Sequence, residues 1–146
     1  MASFQQARID ESDKPLRSRH PLAGCDHPHG LIVAPKGGVG YVACDANDQL
    51  VTVDLASGRV LDRQPVAHDP DVLAIDAAAN RLYVAAESGN LSTYNIASPD
   101  KPISLGDLFI ARDAHTVAVD PVSHRLYFAL AGLNGRAVLR VLSPRN

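Results

Sequence analysis

Apolar and polar positions along the chain fall into short blocks that recur. HGLIVAP (29–35), DVLAIDA (71–77) and HTVAVDP (115–121) align without gaps. Twelve residues after each start come YVAC (41–44), YVAA (83–86) and YFAL (127–130), so both motifs repeat at the same offsets of 42 and 44 residues. A third block follows each pair: LVTVDL (50–55), LSTYNI (91–96) and, after a looser linker, VLRVLS (138–143). Agreement of the offsets across separate motifs marks an internal repeat.

Each block is short, rich in Val, Leu, Ile and Tyr, and bounded by Gly, Pro, Asn or Asp, which is the pattern of a β-strand. The links PKGGVG, DAAANR and DPVSHR have tight-turn chemistry, in which Gly, Asn and Asp tolerate positive φ and Pro presets it. RVLDRQPV (59–66) and PISLGDLFI (102–110) read as a fourth strand in two of the units. No stretch has a helical period. Four antiparallel strands repeating every 40–45 residues or so describe a blade of a β-propeller. The predicted fold class is therefore all-β, with about three blades forming a partial propeller or half of a dimeric six-bladed ring. Its expected organisation is a polar, unstructured segment at 1–13, an outer strand at 14–24, blades at 29–66 and 71–110, and a partial blade at 115–143.

Propellers close with about 4–8 blades, so three leave apolar faces and sheet edges open. Two arrangements relieve this. A second copy supplies the remaining blades, each N-terminal strand completing the partner's last blade, or missing upstream sequence supplies them. Composition narrows the functional classes. With 14 Lys and Arg against 16 Asp and Glu the net charge is −2, without the basic block of a nucleic-acid footprint. No window reaches the ~18 apolar residues of a membrane-spanning helix, and the first twenty residues lack the apolar core of a secretory leader. As written the chain reads as cytoplasmic. Tryptophan is absent and aromatics are 5% of residues, so an aliphatic core is expected.

The loops leading into the first strands carry the chemistry. In parallel they read DHPH (26–29), HDPD (68–71) and RDAH (112–115). The last position holds His29, Asp71 and His115, and two residues earlier stand His27, Asp69 and Asp113. First strands line the channel of a propeller, so these loops converge on one rim, where ligand sites collect. Imidazole plus carboxylate is a ligand set for Zn²⁺, Mn²⁺, Fe²⁺ or Cu²⁺, which makes His29, His115 and Asp71 the candidate holders of a divalent transition metal. The competing reading is that His29, Asp71 and His115 are polar channel lining, and that His27, Asp69 and Asp113 cap turns. The second strand ends at the same rim and brings Cys44, Asp45 and Glu87 near Cys25 and His29. Two free thiols, a Cys25–Cys44 disulfide and thiolate ligation of a soft metal all remain open. KGGVG (36–40) precedes no helix and reads as a hairpin turn, not a phosphate loop. Asp76 and Asp120 read as turn formers, and His124 as an exposed turn residue. No nucleophile elbow or zincin motif occurs.

A strand ending in VDP, then RLYVA, then a strand ending in VDL with SGRV, resembles the YVTN-repeat propellers, surface-layer-protein-like relatives of the quinoprotein and nitrous-oxide-reductase propellers. The resemblance spans about residues 15–142 and is strongest in NRLYVAAESGNLSTYNI and HTVAVDPVSHRLYF. It implies a blade type, an often exported or periplasmic protein and a binding or scaffold role, and no particular reaction. Three functions follow. One is a non-catalytic module that binds a ligand or partner on the rim. Another is a metal-dependent hydrolase, lactonase-like, or a redox protein with an ion on the channel axis, where the ion acts as Lewis acid or activates water. The third is a truncated propeller without independent function.

Overall fold

The computed structural model describes residues 18–145. Its regular structure is strand throughout, except for one 3₁₀ turn at Asp45–Asn47. Strands β1 (Pro28–Val33), β2 (Val39–Cys44), β3 (Gln49–Asp54) and β4 (Val60–Pro65) form one antiparallel sheet in sequence order. A second sheet repeats this order with β5 (Pro70–Asp76), β6 (Arg81–Ala86), β7 (Asn90–Asn95) and β8 (Ile103–Phe109). The third has β9 (Ala118–Val119), β10 (Leu126–Leu133) and β11 (Arg136–Leu142). Successive hairpins place β1 beside β5 and β5 beside β9, so the first strands form the inner side of the arc. The all-β expectation holds.

The core lies between sheets, and the alternation of the second strands shows why. Along β6, Leu82 and Val84 face the first sheet, where they join Tyr41, Ala43 and Leu50. Tyr83 and Ala85 face the third sheet and pack with Leu126, Phe128 and Leu130. Both faces of β6 are thus covered, which explains the unbroken apolar run LYVAA. An aliphatic core is expected from the composition, yet the largest fully buried side chains are Tyr41, Tyr94 and Phe128. Tyr41 and Tyr94 lie at one interface between sheets, Tyr83 and Phe128 at the other. Tyr41 Oη donates to the Pro99 carbonyl (2.9 Å) and Tyr94 Oη to the Pro65 carbonyl (2.8 Å), so each hydroxyl crosses to the neighbouring sheet. Burial, with a contribution from Asp100, pushes Tyr41 up to about 12; burial also raises Tyr94 strongly. Both phenols therefore remain donors across the physiological range.

Two sequence expectations change. Residues 18–24, expected within an outer strand at 14–24, carry no strand pairing. Pro21 lacks an N–H for a ladder, and Gly24 turns the chain at φ +81°. Leu22 and Cys25 instead cover Val42, Val51, Val53 and Val60 on the outer face of the first sheet. Residues 14–17 and the segment 1–13 lie outside the described residues. In the third unit the first strand is reduced to Ala118 and Val119. The His115 N–H turns back to the Asp113 carbonyl (2.9 Å), and the Thr116 hydroxyl, not its backbone, meets the Ala129 carbonyl. KGGVG is a hairpin link, with Gly37 and Gly38 both at positive φ.

Candidate ligand site where the inner strands begin

The second residue of each lead-in loop has a backbone role in two blades and the same backbone shape in all three. His27, Asp69 and Asp113 adopt the left-handed region, with φ of 52°, 61° and 59°. Asp and His are among the few non-glycine residues that populate it readily. The carbonyls of His27 and Asp69 then accept the N–H groups of Asp45 and Glu87, the residues directly after β2 and β6 (3.1 and 2.8 Å). That bond places an acidic side chain beside each of these two loops.

A one-residue bulge follows. Pairing of β1 with β2 shifts between Pro28 and Leu31, and that of β5 with β6 between Pro70 and Val72. His29 and Asp71 sit in these irregularities, where a bulge re-aims a side chain out of the normal alternation. Gly30 lets β1 and β5 approach each other at this end, because a Cβ there would collide with the Asp71 carbonyl and the Leu73 side chain.

The result is an alternating row of imidazoles and carboxylates across all three sheets. His27 Nδ1 lies 2.5 Å from Asp45 Oδ1, and His29 Nδ1 stands 3.6 Å from Asp45 Oδ2 and 3.3 Å from Asp71 Oδ1. His115 Nδ1 donates to Asp71 Oδ2 at 2.6 Å. Asp45 and Asp71 are recessed, each with 15% of its side chain exposed, whereas His29 is 51% and His115 42% exposed. Carboxylates that hold Nδ1–H fix the tautomer and leave Nε2 as the outward acceptor. Glu87 completes the group, since ligand atoms of Asp71, Glu87 and His115 all lie within 4.8 Å of one another.

The structure thus brings together His27, His29, Asp71 and His115. It leaves Asp69 facing the β2–β3 turn, where its N–H meets Asp48 Oδ1 (2.9 Å), and Asp113 exposed beside Arg112. Asp45 and Glu87 belong to the cluster, whereas the sequence alone presents them only as rim neighbours. Their signal is the repeat itself, because the residue after YVAC, YVAA and YFAL is Asp45, Glu87 and Ala131. Cys25 and Cys44 form a disulfide that ties the first lead-in loop to the end of β2. Asn47 reinforces it by accepting from the Asp26 N–H and donating to the Gly24 carbonyl. His124, expected to be an exposed turn residue, is half-buried and pairs through Nδ1 with Asp76, which is fully buried (2.7 Å). Asp76 also caps its turn through the Ala79 N–H.

The sequence matches no protein-family model and no curated protein. Solved structures do match. Hydrazine synthase of Kuenenia stuttgartiensis aligns with a TM-score of 0.65 at 16% identity, over 81% of this chain and 33% of that one. The RRP9 WD40 repeats align at 0.63 and 21% identity, over 74% and 34%. The β-propeller domain of Myceliophteria thermophila Cps50 (Swd1) aligns at 0.62 and 14%, over 83% and 39%. The fold is a partial β-propeller. Each sheet is a blade, the inner strands line the channel side, and the chain spans between a third and two fifths of the length of these structures.

Blade-to-blade contacts continue outside the cluster at His68 and Asp48, where His68 Nδ1 lies 3.0 Å from Asp48 Oδ2. The bond to Asp48 raises His68 above the ordinary imidazole value, and the Asp69 N–H, then His68, lower Asp48. The raised imidazole contributes stability fully below its unfolded value of ~6.5, lost as pH rises through the higher folded value. The lowered carboxyl contributes above its unfolded ~3.9, lost as pH falls through the lower folded value. The pair thus contributes fully between about pH 4 and 6.5 and fades only beyond those limits, at the shifted folded values. Histidine NMR should give His68 a titration midpoint above the ordinary one that falls in Asp48→Asn; an unmoved midpoint would contradict the pairing.

Proposed function

We propose that the chain is a non-catalytic propeller module of the YVTN-repeat type that binds a ligand or partner group on its channel rim. The observation that carries this reading is the His27–Asp45–His29–Asp71–His115 row, assembled where the inner strands of three successive blades begin. Its imidazole Nε2 atoms are acceptors and its carboxylates are anionic, so it suits a donor-rich or cationic group. Concave rims with a few convergent polar groups are the usual location of such sites.

Further blades complete the channel, supplied by a second copy or by additional sequence of the same protein. Leu31 and Val33 at one end of the arc, and Leu139 and Val141 at the other, are the apolar positions those blades would cover. A sedimentation mass near twice 15.5 kDa favours the second copy, and a monomeric mass favours the additional sequence.

The test is NMR of chelator-treated protein against short basic, acidic and neutral peptides, with parallel assays on simple lactones. Perturbations should gather at His27, His29, Asp71 and His115, favour the basic peptides and weaken in His29→Ala. Perturbations scattered over the surface defeat the rim site, and lactone turnover lost in His115→Ala defeats the non-catalytic reading.

A further inference from the structure

We infer that the rim holds one divalent transition-metal ion, ligated by Asp71, Glu87 and His115, with His29 as positioning residue. The inference rests on the rim being the binding site and names an occupant for it. Two of the ligands come from antiparallel neighbours of blade 2. Asp71 lies in the bulge of β5, and Glu87 directly follows β6 with its N–H held by the Asp69 carbonyl. The third, His115, comes from blade 3 and already touches Asp71. Candidate ligand atoms within 4.8 Å of one another need only small side-chain rotations to share one ion at bond lengths of ~2.0–2.2 Å. The ion takes the place of the proton that His115 and Asp71 now share.

The donor set selects the class of metal. One imidazole with two carboxylates suits Zn²⁺, Mn²⁺ or Fe²⁺, whereas Ca²⁺ and Mg²⁺ prefer oxygen alone. Three protein ligands leave a position for water or for a group of the bound partner. His29 does not ligate in this arrangement. At 3.3 Å from Asp71 Oδ1 it stands in ion-pair range of the carboxylate oxygen that His115 does not use, the position of an outer partner that orients a ligand. This differs from the His29, His115 and Asp71 set expected from the repeat, since the third ligand is Glu87 and His29 moves one step out.

The experiment is calorimetric titration of the chelator-treated full chain with Zn²⁺ alone, accompanied by Co²⁺ absorption spectra. One ion per chain is expected, with Co²⁺ bands of low coordination number. Glu87 is exposed and Glu87→Gln keeps its shape, so this variant should fold normally and lose at least tenfold in affinity. Substitution of an outer-shell partner typically costs ~10–100-fold, and His29→Gln should fall in that range. His68→Ala removes a similar surface His–carboxylate pair and should leave the titration unchanged. Absence of a stoichiometric ion from folded protein, or equal loss in Glu87→Gln and His68→Ala, overturns the inference. If peptides still perturb the rim of metal-free protein, the metal falls alone; if neither probe binds there, both readings fall.

Discussion

Gly30→Ala is expected to destabilise the chain by about 3 kcal/mol and to separate His29 from Asp71. Alanine is a minimal change, and Gly30 is not among the positive-φ glycines, so backbone strain is not the cause. The cause is space. The added Cβ would fall inside contact distance of the Asp71 carbonyl oxygen, and that atom belongs to the backbone of a neighbouring blade. A flexible side chain could swing aside; a strand cannot move without its sheet. Overpacking of this kind costs ~1–3 kcal/mol, and a backbone obstacle puts Gly30 at the upper end. The repeat places Val72 and Thr116 at the equivalent positions, so glycine is demanded by this approach and not by the blade. Gly132→Ala is the control, because nothing lies within 4 Å of a Cβ there. Urea denaturation should show a large loss for the first variant and a change within ~0.5 kcal/mol for the second. In NMR of folded Gly30→Ala the His29 ring signals should shift while those of His124 stay. Equal midpoints for the two variants would mean that the blades slide apart without cost, and the rim geometry would lose its explanation.

The sequence carries the architecture openly and the site only in part. Strand positions follow from a repeat of apolar blocks, and the alternation of Leu82, Tyr83, Val84 and Ala85 already tells that both faces of one strand are covered. His29, Asp71 and His115 can be placed on one rim because they share a repeat position. Asp45 and Glu87 are harder to see, because they follow a strand whose end looks like ordinary loop chemistry, and Ala131 breaks their pattern in the third blade. His27, Asp69 and Asp113 illustrate the opposite difficulty. Their recurrence looks like ligand chemistry, yet a left-handed backbone selects the same residue types. Position in a repeat cannot distinguish these causes; φ and the hydrogen-bond partner can. The pairing of His124 with Asp76 spans two blades and 48 residues, with no local signal.

Opening the Cys25–Cys44 disulfide is expected to cost about 3 kcal/mol, the loop-entropy value for a 19-residue separation. The cross-link closes a loop that contains the first inner strand, β1, and β2, so its loss acts on fold and site together. Cys25 is two residues from His27, and Cys44 directly precedes Asp45, the carboxylate His27 contacts. Cys25 and Leu22 also cover Val42, Val51 and Val53, which a freed segment would expose. Packing and cross-linking can be separated. Reduction leaves both sulfurs where they were, and a buried free cysteine packs as a small apolar residue, so reduced protein reports the cross-link alone. Cys25→Ala with Cys44→Ala removes the sulfurs as well and should be less stable still, because Cys44 is fully buried. Dithiothreitol should lower the urea midpoint of the native chain and leave that of the double variant unchanged. The ring signals of His27 should broaden on reduction, while those of His115, two blades away, keep their positions. An unshifted midpoint on reduction would show that the hairpin, Asn47 and the Leu22 contacts hold the loop unaided. A lowered midpoint would make the state of the rim depend on an oxidising surrounding, where such bonds persist.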